Sequence, residues 1–589
     1  MKTKDYYLRE LNTLRTEGVE FAKMNPGLSS FLSQEGQDPD VERLLEGFAF
    51  LTGKLRQKFD EELPEVSNSL VQLLWPNYVR PIPSYAIIKF NAPKNSTETA
   101  VVLRDTQVLA EKSLDGVICK FKTCYETKVM PLEIEDVEYL VSGQKSSIEL
   151  QLKMTSKGSL SDINFEPLRI FLGGSKFMSR ELFLFLNRYI EKIELIIEDE
   201  ENNTKALELP KDSIKSVGFN AAETILPYPS NIFDAYIVLH EYFCYQEKYL
   251  FVDLFNLQNI KNISDSFVSN ANKFTIKISF SKYFNATQSP GRDDFFLYCT
   301  PVVNLFESDS IPIRKSSHED EYMLMPSELS KSQCEVFSIL NVRGWVQSKN
   351  RYQDYFPFES FVNVDENYEY YSSKVKLNDT QNRTETYLRF SASQKTAQNI
   401  EHNNAVVSVR MLCTHRDLPS KLHLGAICSV DANSNCSVEF KNLTIPSISY
   451  PPPIGGDFLW KIISNMSLNY LSIKDIKTLK VILKTYDFLG ENDLRQKKKT
   501  TSILEGLTSI TTKRTEMIYE GMAIRGLETE ITLDPSKFIG VGEAYLFSSV
   551  LNEFLSLYSS INSFHRFIVN IENYEIFSWT PKIGFKDMF

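Results

Sequence analysis

Nowhere in these 589 residues does an apolar run approach the roughly 20 residues that a bilayer-spanning helix requires. The N-terminus, Met1-Lys2-Thr3-Lys4-Asp5, leads straight into an amphipathic pattern without the apolar centre of a signal peptide. A soluble, cytoplasmic chain with no direct membrane insertion is therefore expected. Histidine is scarce, at six residues, which narrows the scope for general acid–base chemistry. Eight cysteines in so long a chain, most inside apolar or strand-like runs, read as reduced, buried thiols rather than a disulfide framework. Cations are outnumbered: 65 Lys and Arg against 76 Asp and Glu leave a net charge of −11. Such a surface repels phosphate backbones, so no nucleic-acid partner is expected.

Catalytic motifs are missing as well. There is no Walker-type phosphate loop, no His-Glu-x-x-His zinc helix and no Gly-x-Ser-x-Gly elbow. Gly540-Val541-Gly542 precedes a helix but lacks the lysine and further glycines of a phosphate loop, so it reads as a turn. Cys413, His415, His423, Cys428 and Cys436 are proper zinc-ligand types. The pair Cys413-x-His415 is nevertheless too closely spaced, and the runs 406–411 and 424–430 read as strands. His240-Glu241, beside Tyr242-Phe243-Cys244-Tyr245, reads as a satisfied, semi-buried histidine rather than a poised base. Arg495-Gln-Lys-Lys-Lys499 reads as an exposed basic loop or a contact for an acidic partner. No catalytic residue, cofactor or metal follows from the sequence.

Aromatics are abundant instead, with 40 Phe and 28 Tyr but only 4 Trp, which suits large cores and protein interfaces. The length calls for three or four domains. The first eighty residues are helical. Tyr7, Leu11, Leu14, Gly18 and Phe21 share one face, and Pro26 ends the segment. Asp38-Pro39 opens a second helix with an apolar face of Val41, Leu44, Leu45, Phe48, Leu51, Leu55 and Phe59. A third carries Val66, Leu70, Leu73 and Leu74 and stops before Pro76. Such helices pack on each other or on a partner's helices. The candidate interaction residues are therefore Tyr7, Leu11, Leu14, Val41, Leu44, Leu45, Phe48, Leu51 and Leu55.

From Pro81 onward strand patterns dominate, at 85–90, 100–103, 147–154, 192–197, 249–254, 274–280, 406–411 and 436–440, with one helix at 180–189. After Pro451-Pro-Pro453 and Gly455-Gly456 come helices at about 457–470 and 474–486. A strand at 527–533 and a long helix bearing Leu546 to Ile561 follow. The expected fold class is α+β and multi-domain. Its parts are an N-terminal helical segment (1–80), two β-rich regions (81–225 and 226–450) and a mixed α/β C-terminal domain (451–589).

Several stretches resemble the TssF family (also VasA or ImpG) of type VI secretion baseplate subunits. They are Asp38-Pro-Asp-Val-Glu-Arg-Leu-Leu-Glu-Gly-Phe-Ala-Phe-Leu51 and Leu74-Trp-Pro-Asn-Tyr-Val-Arg-Pro-Ile-Pro-Ser84. With them go Leu226-Pro-Tyr-Pro229, Glu241-Tyr-Phe243, Glu247-Lys-Tyr-Leu-Phe-Val-Asp253 and Cys299-Thr-Pro-Val-Val-Asn-Leu-Phe306. Glu321-Tyr322, Leu459-Trp-Lys-Ile-Ile-Ser464 with Leu468-Asn-Tyr-Leu471, Arg525-Gly526 and Ser559-Ser-Ile-Asn-Ser-Phe564 complete the set. The resemblance implies a non-catalytic wedge protein like those of contractile phage baseplates. It implies a wedge of two copies of the chain with one TssG, bound to TssK and the sheath-initiating TssE around a VgrG hub. The place implied is the inner face of the bacterial inner membrane, against the membrane complex. An alternative from another class is a β-rich carbohydrate- or cell-wall-binding protein, because aromatic β domains stack on sugars.

Overall fold

The computed structural model describes residues 7–8, 10–15, 43–54, 71–73 and 75–584, with internal exceptions. The exceptions are 95, 157, 200–202, 230–231, 233, 263–267, 269–270, 285–288, 317–318, 347–349, 359–368, 379–382, 392–404, 432–435, 455–474, 520, 557–558 and 560–562. Two units divide the chain: Met1–Val79 with Ile454–Met466, and Arg80–Pro453 with Ser467–Phe589.

In the smaller unit the described residues are helical at 7–8, 10–15, 43–54 and 71–73. Pro76, which has no N–H to donate, opens the 3-10 turn Pro76–Val79. Gly18, Phe21, Val41, Leu55, Phe59 and the expected helix at 457–470 lie outside the described residues.

The larger unit is built on sheets. Five antiparallel strands run in the order Thr204–Leu209, Ile190–Asp199, Ala271–Phe280, Lys145–Met154 and Leu132–Ser142. Alternation explains them: Ile148, Leu150 and Leu152 are buried while their neighbours are not. Leu195, Ile276, Leu150 and Val137 align across four strands as one apolar row. A six-stranded sheet is ordered Ile427–Val430, Gln107–Ala110, Lys120–Thr123, Cys299–Val303, Tyr85–Phe90 and Phe440–Asn442. Segments far apart in sequence thus share one core. The expected strand at 436–440 is instead Phe440–Asn442, fixed by the pairing of Ile88 with Asn442. Likewise 246–249 is a 3-10 turn, and the strand after it starts at Phe251.

Residues 306–414 make an eight-stranded sheet. Its path is Phe306–Asp309, Val406–Thr414, Glu335–Val346, Arg351–Pro357, Glu369–Asn378, Arg383–Ser391 and Tyr322–Met323, with Ile313–Arg314 beside Val406–Thr414. The two ends of the path meet. Ile311 N–H donates to Met325 O (2.8 Å), and Ser327 N–H to Asp309 O (2.9 Å). Among the described residues these bonds, with the bridge between Ser310 and Pro326, close the sheet into a barrel. Its interior holds its own side chains, among them Phe306, Tyr322, Tyr355, Tyr371, Leu388 and Met411.

Six α-helices are described in this unit: α1 (Lys176–Arg188), α2 (Asp234–Cys244), α3 (Ile476–Thr485), α4 (Phe488–Asn492), α5 (Leu494–Glu505) and α6 (Val541–Ser556). Ser175 caps α1 by accepting the Met178 N–H, and Asp475 caps α3 through the Thr478 N–H. The run Arg495–Lys499 is not a loop. It lies in α5, whose start Asp493 fixes by accepting the Arg495 N–H at 2.7 Å. The strands Met522–Leu533 and Ser563–Ile571 pair in parallel, and α6 crosses between them. That helix packs on α1, α2 and the strand Ser563–Ile571. It is buried nearly all round, so Ser548 and Ser549 turn their hydroxyls to Ala544 O and Tyr545 O.

Candidate interaction surfaces and the buried polar centre

On the helix at 43–54 the apolar residues divide between two faces. Ala49 and Gly53, one turn apart, are buried, and Leu45 and Thr52 flank them half-buried. Leu44, Phe48 and Leu51 form the opposite stripe at i, i+4 and i+7, and are 74%, 56% and 60% exposed. Phe50 is also exposed, with the Lys54 ammonium 5.1 Å above its ring. In the first segment Leu11 is buried while Tyr7 and Leu14 are half-buried. Of the nine candidate interaction residues, then, three are open to solvent, Val41 and Leu55 fall outside the described residues, and the other four are wholly or partly covered.

The pair His240-Glu241 sits on α2 inside the larger unit. Glu241 and Lys248, both fully buried, form an ion pair. The carboxylate also accepts the N–H groups of Ile225 (2.8 Å) and Leu226 (3.2 Å). The ammonium donates to Glu223 O at 3.3 Å and lies 4.7 Å from the Tyr249 ring centroid. His240 Nδ1 lies 2.9 Å from Tyr228 Oη, and burial pushes the ring's pKa down to about 3, so it is neutral. Burial also raises the hydroxyls of Tyr85, Tyr125, Tyr228 and Tyr249 well above the usual range. Every charge here is spent on holding the chain together: helix α2 is tied to 225–228 and to the 246–249 turn. This is a structural knot rather than a poised base.

Gly540-Val541-Gly542 does open a helix, and its anion is already present. Glu181 on α1 accepts the Gly542 N–H at 2.8 Å, filling the N-terminal site of α6 with a carboxylate of the same chain. A Cβ on Gly542 would lie 2.3 Å from Arg180 O, so glycine is what lets the two helices touch. Beside it Glu543, buried, faces Arg180 (3.6 Å) and Lys499 (3.4 Å). Lys499 also donates to Gln246 at 2.7 Å, so the end of the basic run is built into a helix junction.

The cysteine–histidine group disperses. His415 stacks on Phe306 with centroids 4.0 Å apart, and its Nδ1 lies 2.9 Å from Asn304 Nδ2. Burial holds its pKa near about 3. Cys413 faces the barrel core beside Cys334, and its thiol is raised well above the ordinary range. Among the described residues no group of three or more His, Cys, Asp or Glu is placed to hold a metal ion. All eight cysteines are free thiols, six of them buried. No helix among the described residues is long and apolar enough to cross a membrane.

The family described as "Type VI secretion system, TssF" matches residues 1–586. The chain belongs to the TssF family. Its curated relative in Pseudomonas aeruginosa, "Type VI secretion system component TssF1", is 25% identical over 632 aligned positions, spanning 98% of both chains. Among solved structures, one chain of the type VI secretion TssK-TssF-TssG baseplate subcomplex aligns with 92% of this chain and 99% of its own, at 24% identity and TM-score 0.74. A chain of the type VI secretion baseplate complex aligns over 99% and 100%, at 22% identity and TM-score 0.64. These likenesses establish a shared fold. The contacts within this chain give the segments that resemble the family a physical meaning. Leu226-Pro-Tyr-Pro229, Glu241-Tyr-Phe243 and Glu247–Asp253 are the parts of the Glu241–Lys248 knot, and Cys299–Phe306 threads the six-stranded sheet into the barrel.

Proposed function

We propose that this TssF-family chain is a structural, non-catalytic component of a type VI secretion baseplate wedge, joined to a second copy and to TssG through its N-terminal helices, in an assembly that also binds TssK. The observation that carries the proposal is the open stripe Leu44, Phe48 and Leu51. Covering the exposed part of three such side chains is worth about 1–2 kcal/mol each before the costs of association. A groove lined by a partner's helices is the natural site for an i, i+4, i+7 stripe. The family, and the TssK-TssF-TssG assembly that contains this fold, support TssG as the partner. In this reading two copies meet one TssG, the wedge binds TssE and surrounds the VgrG hub, and it sits against the inner face of the inner membrane. Two copies facing one unlike chain occupy different surroundings, so their β regions must turn on linkers. The non-catalytic character is supported by Glu241, Lys248 and His240, the best acid–base candidates, which are all buried and engaged with one another's surroundings. Co-expression with the TssG and TssK of the same system tests the reading, which requires a stable complex containing all three.

A further inference from the structure

The C-terminal sheet ends in a long ribbon. Leu507–Tyr519 and Met522–Leu533 pair from Leu507 with Leu533 out to Tyr519 with Met522, turning at Gly521, whose φ of +80° suits glycine. Ser563–Ile571 covers only the inner part of Met522–Leu533, beginning at Arg525. Leu507–Tyr519 pairs with another strand on one side only and is the outer strand of the sheet among the described residues, 13 residues or roughly 40 Å long, with α3 packed against part of it. This edge carries no proline, and beyond Ser509 its register runs without a bulge. Natural edges are usually blunted by prolines, bulges or charges, and of these devices the stretch beyond Ser509 has only its charges. At the tip Ile518 and Met522 are 80% and 64% exposed, with Tyr519 beside them.

Among the described residues neither Lys513 nor Arg514 has an ion-pair partner within 4 Å, although Glu528 lies across from Lys513. Glu528, opposite Lys513, turns to Arg566 at 3.4 Å, and Leu527 lies opposite Arg514. Glu516 is paired with Arg525 at 3.1 Å. Two adjacent cations thus sit midway along an open edge of a chain whose net charge is −11. Antiparallel pairing with a second copy about the middle of the ribbon would set Lys513 against its own counterpart with an Arg514 close on either side, and like charges facing across strands repel. The same cations favour a strand that carries carboxylates.

We propose that Leu507–Tyr519 is a docking edge that adds one extended segment of a partner protein, acidic opposite Lys513 and Arg514 and apolar where it reaches Ile518 and Met522. Main-chain hydrogen bonds along the edge would supply affinity, and the two cations the choice of partner. The inference goes beyond the N-terminal interface and uses the baseplate reading only to choose the assembly in which it is tested. Hydrogen–deuterium exchange is measured on the free full-length chain and on baseplates isolated from cells, reading 507–519 and 43–54 separately. The expected result is at least tenfold slower exchange at 507–519 in the assembly. Lys513→Glu with Arg514→Glu should abolish that protection and leave 43–54 protected. Equal exchange of 507–519 in the two states overturns the docking edge, while protection at 43–54 alone leaves the baseplate reading standing. Protection that survives the charge reversal overturns the acidic occupant. A free chain that doubles in mass with its 507–519 amides protected assigns the edge to a second copy and overturns the proposal. Absence of the chain from isolated baseplates overturns both readings.

Discussion

The carboxylate of Glu241 and the ammonium of Lys248 form an ion pair from which water is excluded, seven residues apart in sequence and joined across the turn that follows α2. Removing one partner leaves a buried charge without its complement, a loss of about 3–5 kcal/mol. Lys248→Met and Glu241→Gln are each expected to fall in that range by urea unfolding. The double variant should lose clearly less than the sum of the two, because no orphaned charge remains. Strict additivity would show that the two groups are not coupled.

Acid should weaken the fold through histidine. His240, His415 and His565 are buried, and burial holds them at about 3, about 3 and about 4 against an ordinary 6.5. The unfolded chain takes up protons below about pH 6.5 that the folded chain refuses until pH falls near those values. Stability is therefore full above about pH 6.5 and declines as pH drops through that window, by about 1.4 kcal/mol per histidine per pH unit. Unfolding midpoints measured from pH 7.5 to 5 should fall, and less steeply in His415→Gln. A flat profile would contradict neutral burial.

The α1–α6 contact gives a third expectation. Gly542→Ala drives a methyl against Arg180 O and should cost about 1–3 kcal/mol. Glu181→Ala, which strips the acceptor from the Gly542 N–H, should cost about 1 kcal/mol. Glu181→Gln, keeping an acceptor, should cost less. Thermal unfolding of the three variants checks the order.

Much of the fold was legible because burial wrote a period into the sequence. Ile148, Leu150 and Leu152 alternate, and the strand is there; Leu182, Phe183 and Leu186 recur at helical spacing, and α1 is there. Periodicity failed where an element has no contrast between faces. Helix α2 is apolar nearly all round, from Ile237 to Cys244, so no helical stripe stood out. The strand Leu507–Tyr519 fails the other way, being Thr-rich and largely exposed on both faces. Helix α5 begins in a basic run, and only the Asp493 cap marks its start. Glu241 could be singled out in the sequence but not its partner, since the knot depends on a turn that brings Lys248 back beneath α2. On the N-terminal helix the apolar residues were visible, but which of them face solvent was not. Ala49 and Gly53 occupy the covered side and leave the larger Leu44, Phe48 and Leu51 outside.

That division supplies the most direct measurement. The chain is co-purified with its TssG, and the molar mass of the complex is read by light scattering beside a variant carrying Leu44→Asp and Phe48→Asp. Because both side chains are exposed, the variant alone should keep its circular dichroism and unfold within about 0.5 kcal/mol per site of the parent. The account predicts a two-to-one complex for the parent and none for the folded variant. A folded variant that binds TssG as the parent does, or a parent that forms no complex at all, would contradict it.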